Sequence, residues 1–327
     1  MRTIAFDIGY SSIKTDNHKN IPSIVGPARD LSNVPMLGQV SPEENLQIEV
    51  HGEQYFVGAL AARHSSNPVF SLKKDRYDSE QGMVLMETTI ALLANNNEEI
   101  RVITGLPVDY QKTQRSNLEQ RLRETHAVVF NGQLQRTFVR EVKVIPQPMG
   151  IFFHHYLDES LNPTDPRWKR QRVGIVDIGY GTTDIAVVDG GQYIDEYSRS
   201  SNLAMSRLTR LVSNAVYRDI NHRWETHEID EAIRNGFVRL RGRNISIIEQ
   251  IAECRRNLSD QLSHWLETEW PDYDKMDMIL LGGGGGSALY HHLSKSFHVK
   301  LVEDPQQAVV KGYKKLGLLT DRKKPSL

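Results

Sequence analysis

The stretch "GIVDIGYGTTDIAVVDGG", residues 174–191, reads as an apolar strand, a short polar turn and a second apolar strand. An earlier stretch, "IAFDIGYSSIKTD" from residue 4, contains the same tetrapeptide DIGY. Asp7 and Asp177 therefore open two similar turns that lie about half the chain length apart. Strands and helices are mixed in both halves, so the repeat predicts a duplicated α/β domain.

The composition is that of a globular protein. Of 327 residues, 39% are apolar and 25% are charged, and 40 basic residues nearly cancel 41 acidic ones. This balance gives no overall attraction to nucleic acid or to an anionic membrane. The single cysteine, Cys254, excludes an internal disulfide and is typical of a reducing cytosol. Because the sequence shows neither a membrane-spanning apolar run nor a signal peptide, a cytoplasmic protein is expected.

Hydrophobic periodicity and turn residues predict the local elements. A polar helix is expected at 111–126, and three short strands are expected between residues 127 and 148. Asp304 and Pro305 have the residue types of an N-cap and a first helical position, so they predict the start of the last helix.

Each DIGY turn combines the residue types that bind phosphate. Glycine lets the backbone approach a ligand and leaves N–H groups free to donate. A carboxylate at the strand end would repel phosphate unless a cation lay between them, so Asp7 and Asp177 predict Mg²⁺, held mostly through water. Lys14 could reach a β- or γ-phosphate. Ordinary Asp-Gly hairpins remain the alternative interpretation. The candidate phosphate-binding residues are Gly9, Tyr10, Ser11, Ser12, Lys14, Gly179, Tyr180, Gly181, Thr182 and Thr183.

A third glycine-rich element, "LLGGGGG" at Leu280 to Gly286, follows the second turn. An apolar strand, a glycine run and a helix form a place where the backbone meets a ligand or a helix N-terminus faces an anion. A flexible turn would have the same sequence. Neither a dinucleotide-binding GxGxxG pattern nor a GKS/GKT P-loop occurs. The candidate binding residues here are Gly282, Gly283, Gly284 and Gly285.

In this order and spacing, "FDIGYSSIK", "VDIGYGTTD" and "LLGGGGG" resemble the phosphate-1, phosphate-2 and adenosine motifs of the actin-like ATPase superfamily. "VIPQPMGIFF" and "QQAVVKGYKKLG" resemble its two connecting helices, so the resemblance covers most of the chain. "VITGLPVDY" and "IPSIVG" are most similar to the ParM/StbA branch of plasmid-segregation actins and to archaeal actin-like relatives. Two features depart from the pattern: Tyr180 replaces the usual middle glycine, and five glycines stand where three are usual.

The resemblance implies a two-domain actin-like fold of duplicated ribonuclease H-like domains, with ATP and Mg²⁺ in an interdomain nucleotide cleft. Domain I is then expected at residues 1–163, with a smaller inserted subdomain at about 25–80 and a C-terminal helix at 303–318. Domain II is expected at residues 164–302.

The resemblance places Gln147 where actin-type proteins orient the attacking water, so Gln147, Asp7 and Asp177 are the expected catalytic residues. Glutamine orients water but is not a strong base, which favours slow ATP hydrolysis over transfer to a sugar. The expected output is head-to-tail polymerisation into dynamic filaments.

The expected biological role is plasmid segregation through a DNA-binding adaptor protein, with no direct contact to nucleic acid or membrane. Two alternatives remain: a small-molecule kinase of the same superfamily, and a filament scaffold for cell shape or organelle positioning. The choice between ATP and GTP also stays open.

Overall fold

The computed structural model describes most of the chain and divides it into two units. The described residues are 1–17, 19–29, 31, 41, 44–70 and 76–322. The first unit contains Met1–Thr164 and Gln307–Leu327, and the second contains Asp165–Gln306. Part of the insertion expected at about 25–80 lies outside the described residues.

The described strands of the first unit form one mixed sheet. Their order is β3-β2-β1-β8-β10-β9-β5-β6-β4-β7, where the strands are β1 Arg2–Ile8, β2 Ser12–Thr15, β3 Asn20–Pro22, β4 Ile24–Pro27, β5 Leu46–Val50, β6 Glu53–Val57, β7 Val69–Phe70, β8 Glu98–Leu106, β9 Thr125–Phe130 and β10 Gln133–Pro146. β1 pairs antiparallel with β2 and parallel with β8, and β8 pairs parallel with β10.

The second unit repeats the first five positions of that sheet. Its main sheet has the order β13-β12-β11-β16-β17, beside a separate hairpin of β14 and β15. The bounds are β11 Arg172–Ile178, β12 Thr183–Asp189, β13 Gln192–Ser201, β14 Phe237–Leu240, β15 Arg243–Ser246, β16 Met278–Gly282 and β17 Val299–Leu301. The pair β11–β12 is antiparallel, whereas β11–β16 and β16–β17 are parallel. This shared order and direction confirms the duplicated α/β fold class.

Helices cover these sheets. The described helices are α1 Ala59–His64, α2 Glu80–Leu93, α3 Gln111–Leu122, α4 Gln147–Tyr156, α5 Met205–Ile220, α6 Thr226–Asn235, α7 Ile248–Glu269, α8 Gly286–Leu293 and α9 Ala308–Arg322. In the first unit, α9 packs on β1 and β8 and also crosses α4, while α2 packs on β1, β9 and β10. In the second unit, α7 packs against α5 and α8. No helix within the described residues is long and apolar enough to cross a membrane.

Each unit has its own apolar core, and the two DIGY strands run through these cores. Six of the seven residues of β1 are buried, and so are six of the seven residues of β11. Strands covered on both faces carry continuous apolar runs rather than an alternating pattern. The turns that follow Ile8 and Ile178 therefore begin at the ends of buried, hydrogen-bonded strands.

Three local predictions were wrong, two of them in the first half of the chain and one at the last helix. The stretch expected as three short strands forms β9 and one long β10, because a register shift between Val139 and Glu141 interrupts the alternation of apolar and polar residues. The helix expected at 111–126 ends at Leu122, because strand β9 already begins at Thr125.

The last helix, expected at 303–318, runs from Ala308 to Arg322. Asp304 has a φ of 43°, which is not the extended backbone of an N-cap. The carbonyl of Pro305 accepts the N–H of Gly283 at 2.8 Å. Both features keep this segment outside the helix.

Candidate functional site

The two DIGY turns have the same backbone geometry. In the first, the N–H of Gly9 donates to the carbonyl of Ser12 at 3.0 Å, and in the second Gly179 donates to Thr182 at 2.9 Å. A Cβ on Gly9 would lie 2.6 Å from the Ser12 oxygen, and one on Gly179 would lie 2.8 Å from the Thr182 oxygen. Both turns therefore require glycine at positions 9 and 179, because a side chain there would collide with the carbonyl oxygen three residues later.

Unused main-chain donors remain in both turns, one in the first and two adjacent ones in the second. Among the described residues, the N–H groups of Ser11, Gly181 and Thr182 have no backbone or side-chain acceptor. These three residues are exposed or partly exposed. Clustered N–H groups on a tight turn form an anion-binding concavity. The geometry therefore fits the sequence-based prediction that phosphate oxygens bind here.

Asp7 lies at the centre of a small polar cluster in the first unit. Lys14 is its cross-strand partner in the β1–β2 register. The Nζ of Lys14 donates to Asp7 Oδ2 at 3.1 Å, and the Nε2 of Gln147 donates to Asp7 Oδ1 at 2.8 Å. Asp7 and Gln147 are both buried. Three of the predicted site residues thus meet at one carboxylate, although Gln147 comes from α4.

Asp177 has a different cross-strand partner in the second unit. Its register partner in β12 is Asp184, at the position that Lys14 has in the first hairpin. Both aspartates are buried. One oxygen of Asp184 accepts from the Thr182 hydroxyl at 2.7 Å, and the other accepts from Ser200. The register of the second hairpin therefore pairs two acidic residues, whose like charges a cation would offset.

The described residues hold no group of three or more His, Cys, Asp or Glu that could cage a metal ion. The paired carboxylates Asp177 and Asp184 nevertheless have the hard oxygen donors that Mg²⁺ prefers. A Mg²⁺ ion bound by one or two carboxylates and retained waters is compatible with such a donor set. Asp7, whose two oxygens already accept from Lys14 and Gln147, lies in the other unit, so Mg²⁺ at Asp7 and Asp177 stays a prediction.

The glycine run lies against the end of β11. Gly283 has a φ of 79°, and a Cβ there would lie 2.4 Å from both Asp177 Oδ1 and the carbonyl of Ile178. The N–H of Gly285 donates to the carbonyl of Ile178 at 2.8 Å. A Cβ on Gly284, by contrast, would meet no described heavy atom within 4 Å, so this glycine borders open space. The second unit thus joins the DIGY turn and the glycine run at one edge of its sheet.

The side chain of Tyr180 is directed to α6. Its hydroxyl donates to Asp230 Oδ2 at 2.7 Å, and the Thr209 hydroxyl on α5 donates to the other oxygen of Asp230. Burial and the hydrogen bond to Asp230 raise the pKa of the Tyr180 phenol. Because its side chain is engaged here, Tyr180 would offer a phosphate only its main-chain atoms.

Three polar residues of the second unit were not expected as site residues from the sequence. Within the described part of the second unit, Arg207 Nε, Arg255 Nε and Ser259 Oγ are buried without a hydrogen-bond partner. Arg207 stands in the first turn of α5, whose residues Met205 and Ser206 donate N–H groups to the DIGY turn. Unpaired buried donors are candidates for a ligand contact. The spacing of Arg255 and Ser259, four residues apart on α7, is the signal that could have indicated a shared helix face.

Two protein-family models match the chain. The model described as "Actin like proteins N terminal domain" matches residues 5–150. The model described as "Archaeal actin homologue MreB-like, C-terminal" matches residues 175–295. No curated protein matches the chain in sequence.

Solved structures with the same fold cover 97–98% of this chain. A 15-stranded ParM filament from Clostridium botulinum is 23% identical, with a TM-score of 0.81 over 98% of this chain and 100% of that one. A non-polymerisable quadruple mutant of pCBH ParM is 24% identical in sequence and has a TM-score of 0.80. The match covers 97% of this chain and 99% of the mutant. The archaeal actin homologue Ta0583 in complex with ADP is 14% identical in sequence and has a TM-score of 0.80. The match covers 98% of this chain and 100% of Ta0583.

Proposed function

The chain belongs to the actin-like protein family, and on that premise we propose that it binds and hydrolyses ATP and assembles into filaments. The observation that carries the proposal is the pair of DIGY turns, with unused N–H donors at Ser11, Gly181 and Thr182. A solved relative of the same fold was crystallised with ADP, which supports a nucleotide as the ligand.

The residues of the first unit have the chemistry needed to direct a water molecule. Gln147 uses its Nε2 to donate to Asp7, so its Oε1 is the atom that would accept from water. Lys14 places a positive charge beside the turn, where it would bind a phosphate oxygen. Since glutamine orients water without removing its proton, hydrolysis is expected to be slow.

The residues of the second unit would bind phosphate and the metal. The N–H groups of Gly181 and Thr182 would donate to phosphate oxygens, and Asp177 with Asp184 would hold Mg²⁺ through water. The ion would neutralise negative charge on the phosphates. The glycine run from Gly282 would let the backbone approach the nucleoside, as the adenosine motif of the family does.

We further propose that the filaments segregate plasmid copies through a DNA-binding adaptor protein. Solved relatives include a ParM filament and an Alp12 filament, which supports self-association. The near-neutral charge, with 40 basic and 41 acidic residues, favours an adaptor over direct DNA binding. A heterologous interface whose rotation does not close would produce the filament.

Electron microscopy and light scattering with ATP, GTP, ADP and no nucleotide test the proposal. We expect filaments and slow phosphate release with a nucleoside triphosphate and Mg²⁺, and shorter or fewer filaments with ADP. Asp177→Ala should abolish turnover. Turnover stimulated by a sugar or an organic acid, without filaments, would indicate a kinase. Assembly without turnover would indicate a scaffold.

A further inference from the structure

Tyr180 stands in the middle of the second DIGY turn, at the position where the motif that it resembles usually has a glycine. Its phenol reaches out of the turn to Asp230 on α6. We propose that Tyr180 and Asp230 are positioning residues that couple the turn at 179–182 to α6, so that a phosphate held by the turn also stabilises α6 and the hairpin β14–β15. The inference rests on the proposed nucleotide binding.

The remaining contacts of the turn explain why this hydrogen bond matters. The carbonyls of Gly179 and Tyr180 accept the N–H groups of Met205 and Ser206 at the start of α5. The carbonyl of Thr182 accepts from Gly179 within the turn. The hydroxyl of Tyr180 gives the turn a direct hydrogen bond to α6, beside an indirect route through Thr209 on α5. A donor array held by its surroundings binds an anion better than one that must be ordered on binding.

Asp230 connects three elements at once. One of its oxygens accepts from Tyr180 in the turn, and the other accepts from Thr209 on α5. Asp230 itself belongs to α6. Both oxygens have a hydroxyl partner, so loss of the Tyr180 bond leaves a partly buried carboxylate oxygen without one of its partners. A movement of the turn would therefore shift the balance of contacts that hold α6.

Helix α6 and the hairpin β14–β15 are joined by hydrogen bonds at both ends of the helix. The helix ends at Asn235, and the carbonyl of its C-cap residue, Gly236, accepts the N–H of Ile247 just after the hairpin. The indole of Trp224, just before the helix, donates to the carbonyl of Arg239 in β14 at 3.3 Å. Another face of α6, with Glu228 and Glu231, lines a cavity of about 660 Å³ together with hairpin residues. The turn, α6 and this hairpin are thus linked through a chain of direct contacts.

Hydrogen exchange with and without Mg-ADP tests the coupling, using full-length wild type and Tyr180→Phe. In wild type we expect ADP to slow exchange both at 179–182 and at 226–246. In Tyr180→Phe we expect protection at 179–182 to persist, while protection at 226–246 falls to less than half. The affinity for ADP should weaken about fivefold, at the low end of ordinary coupling between sites.

Two further variants make the result decisive. Tyr193→Phe removes another half-buried phenol of the second unit, which contacts Ser198, and should behave as wild type. Asp230→Asn keeps the size of the side chain and should reproduce part of the loss of protection at 226–246. This second variant tests the coupling independently if Tyr180→Phe lowers the melting temperature. If wild type binds ADP and Tyr180→Phe keeps full protection at 226–246, the coupling is refuted while nucleotide binding stands. If wild type shows no ADP binding by calorimetry, the proposed function and this inference both fail.

Discussion

Gln147 donates an amide hydrogen bond to Asp7 at 2.8 Å and thereby ties the first residue of α4 to the end of β1. Lys14 occupies the other oxygen of the same carboxylate at 3.1 Å. Asp7 therefore orients Gln147 and partly neutralises Lys14 at the same time. This arrangement separates two roles that mutation can test independently, the orientation of water and the balance of charge.

The first prediction concerns Gln147. Gln147→Ala should lower phosphate release at saturating ATP roughly 10- to 100-fold, because the water loses its orienting acceptor. The dissociation constant for ATP should change less than about threefold, since the proposed phosphate donors, the N–H groups of the turns and Lys14, stay in place. Gln133→Ala, at an exposed position of β10, is the matched control. Unchanged turnover in Gln147→Ala would remove this residue from the catalytic set.

The second prediction concerns the pair of Lys14 and Asp7. Lys14→Met leaves the buried Asp7 carboxylate without its cation, which should lower the free energy of unfolding by about 3 kcal/mol. The double variant Asp7→Asn with Lys14→Met removes both charges and should recover most of that loss. Neither variant should bind ATP normally. Urea unfolding of the two variants beside wild type gives the comparison, and a single variant as stable as the double would contradict it.

The fold could be predicted from the sequence because its signals are local and repeated. Each DIGY motif begins in the last two residues of a continuous apolar strand, and the glycine run begins in the last residue of another, so three strand ends could be placed from short patterns alone. The same patterns made Asp7, Lys14 and the glycines candidates for the site. Two features bring Lys14 and Gln147 to the Asp7 carboxylate. The β1–β2 register pairs Lys14 with Asp7, and Gln147 follows Pro146 as the first residue of α4.

Other features depend on contacts that local patterns do not contain. The bulge in β10 inverts the alternation of buried positions within one strand, so the sequence indicates two strands there. The partner of Tyr180 lies 50 residues further along the chain, on a different helix. The start of α9 is displaced by a hydrogen bond from Gly283 to Pro305, which no capping rule includes. Tertiary contacts decide each of these cases.

The third prediction compares two glycines with nearly the same backbone. Gly283 and Gly242 have φ values of 79° and 77°, but only Gly283 has atoms of Asp177 and Ile178 where a Cβ would lie. Gly242→Ala should lower stability by about 1 kcal/mol, the cost of the left-handed backbone alone. Gly283→Ala should cost more than twice that and should abolish ATP binding. Calorimetric melting and nucleotide titration measure both effects, and equal losses in the two variants would argue against a close approach at Gly283.

The fourth prediction concerns pH. The imidazole of His126 lies between two acceptors, with Nδ1 at 2.9 Å from Glu87 Oε1 and Nε2 at 3.1 Å from the Leu122 carbonyl. Only the imidazolium donates from both nitrogens at once. Burial lowers the pKa of His126, but the hydrogen bond and charge of Glu87, with smaller contributions from Leu122 and Glu124, outweigh it, so the pKa is raised above 6.5.

A raised folded-state pKa means that this contribution to stability is fully present below the unfolded-state pKa of about 6.5 and is lost as the pH rises through the folded-state value. At pH 6, His126→Gln should be less stable than wild type by about 2 kcal/mol, the worth of a hydrogen bond to a charged group. That difference should shrink towards pH 9. Urea unfolding across the pH range, with the exposed His264→Gln as the control, tests the sign. A difference that stays constant or grows with pH would mean that His126 is neutral in the folded protein.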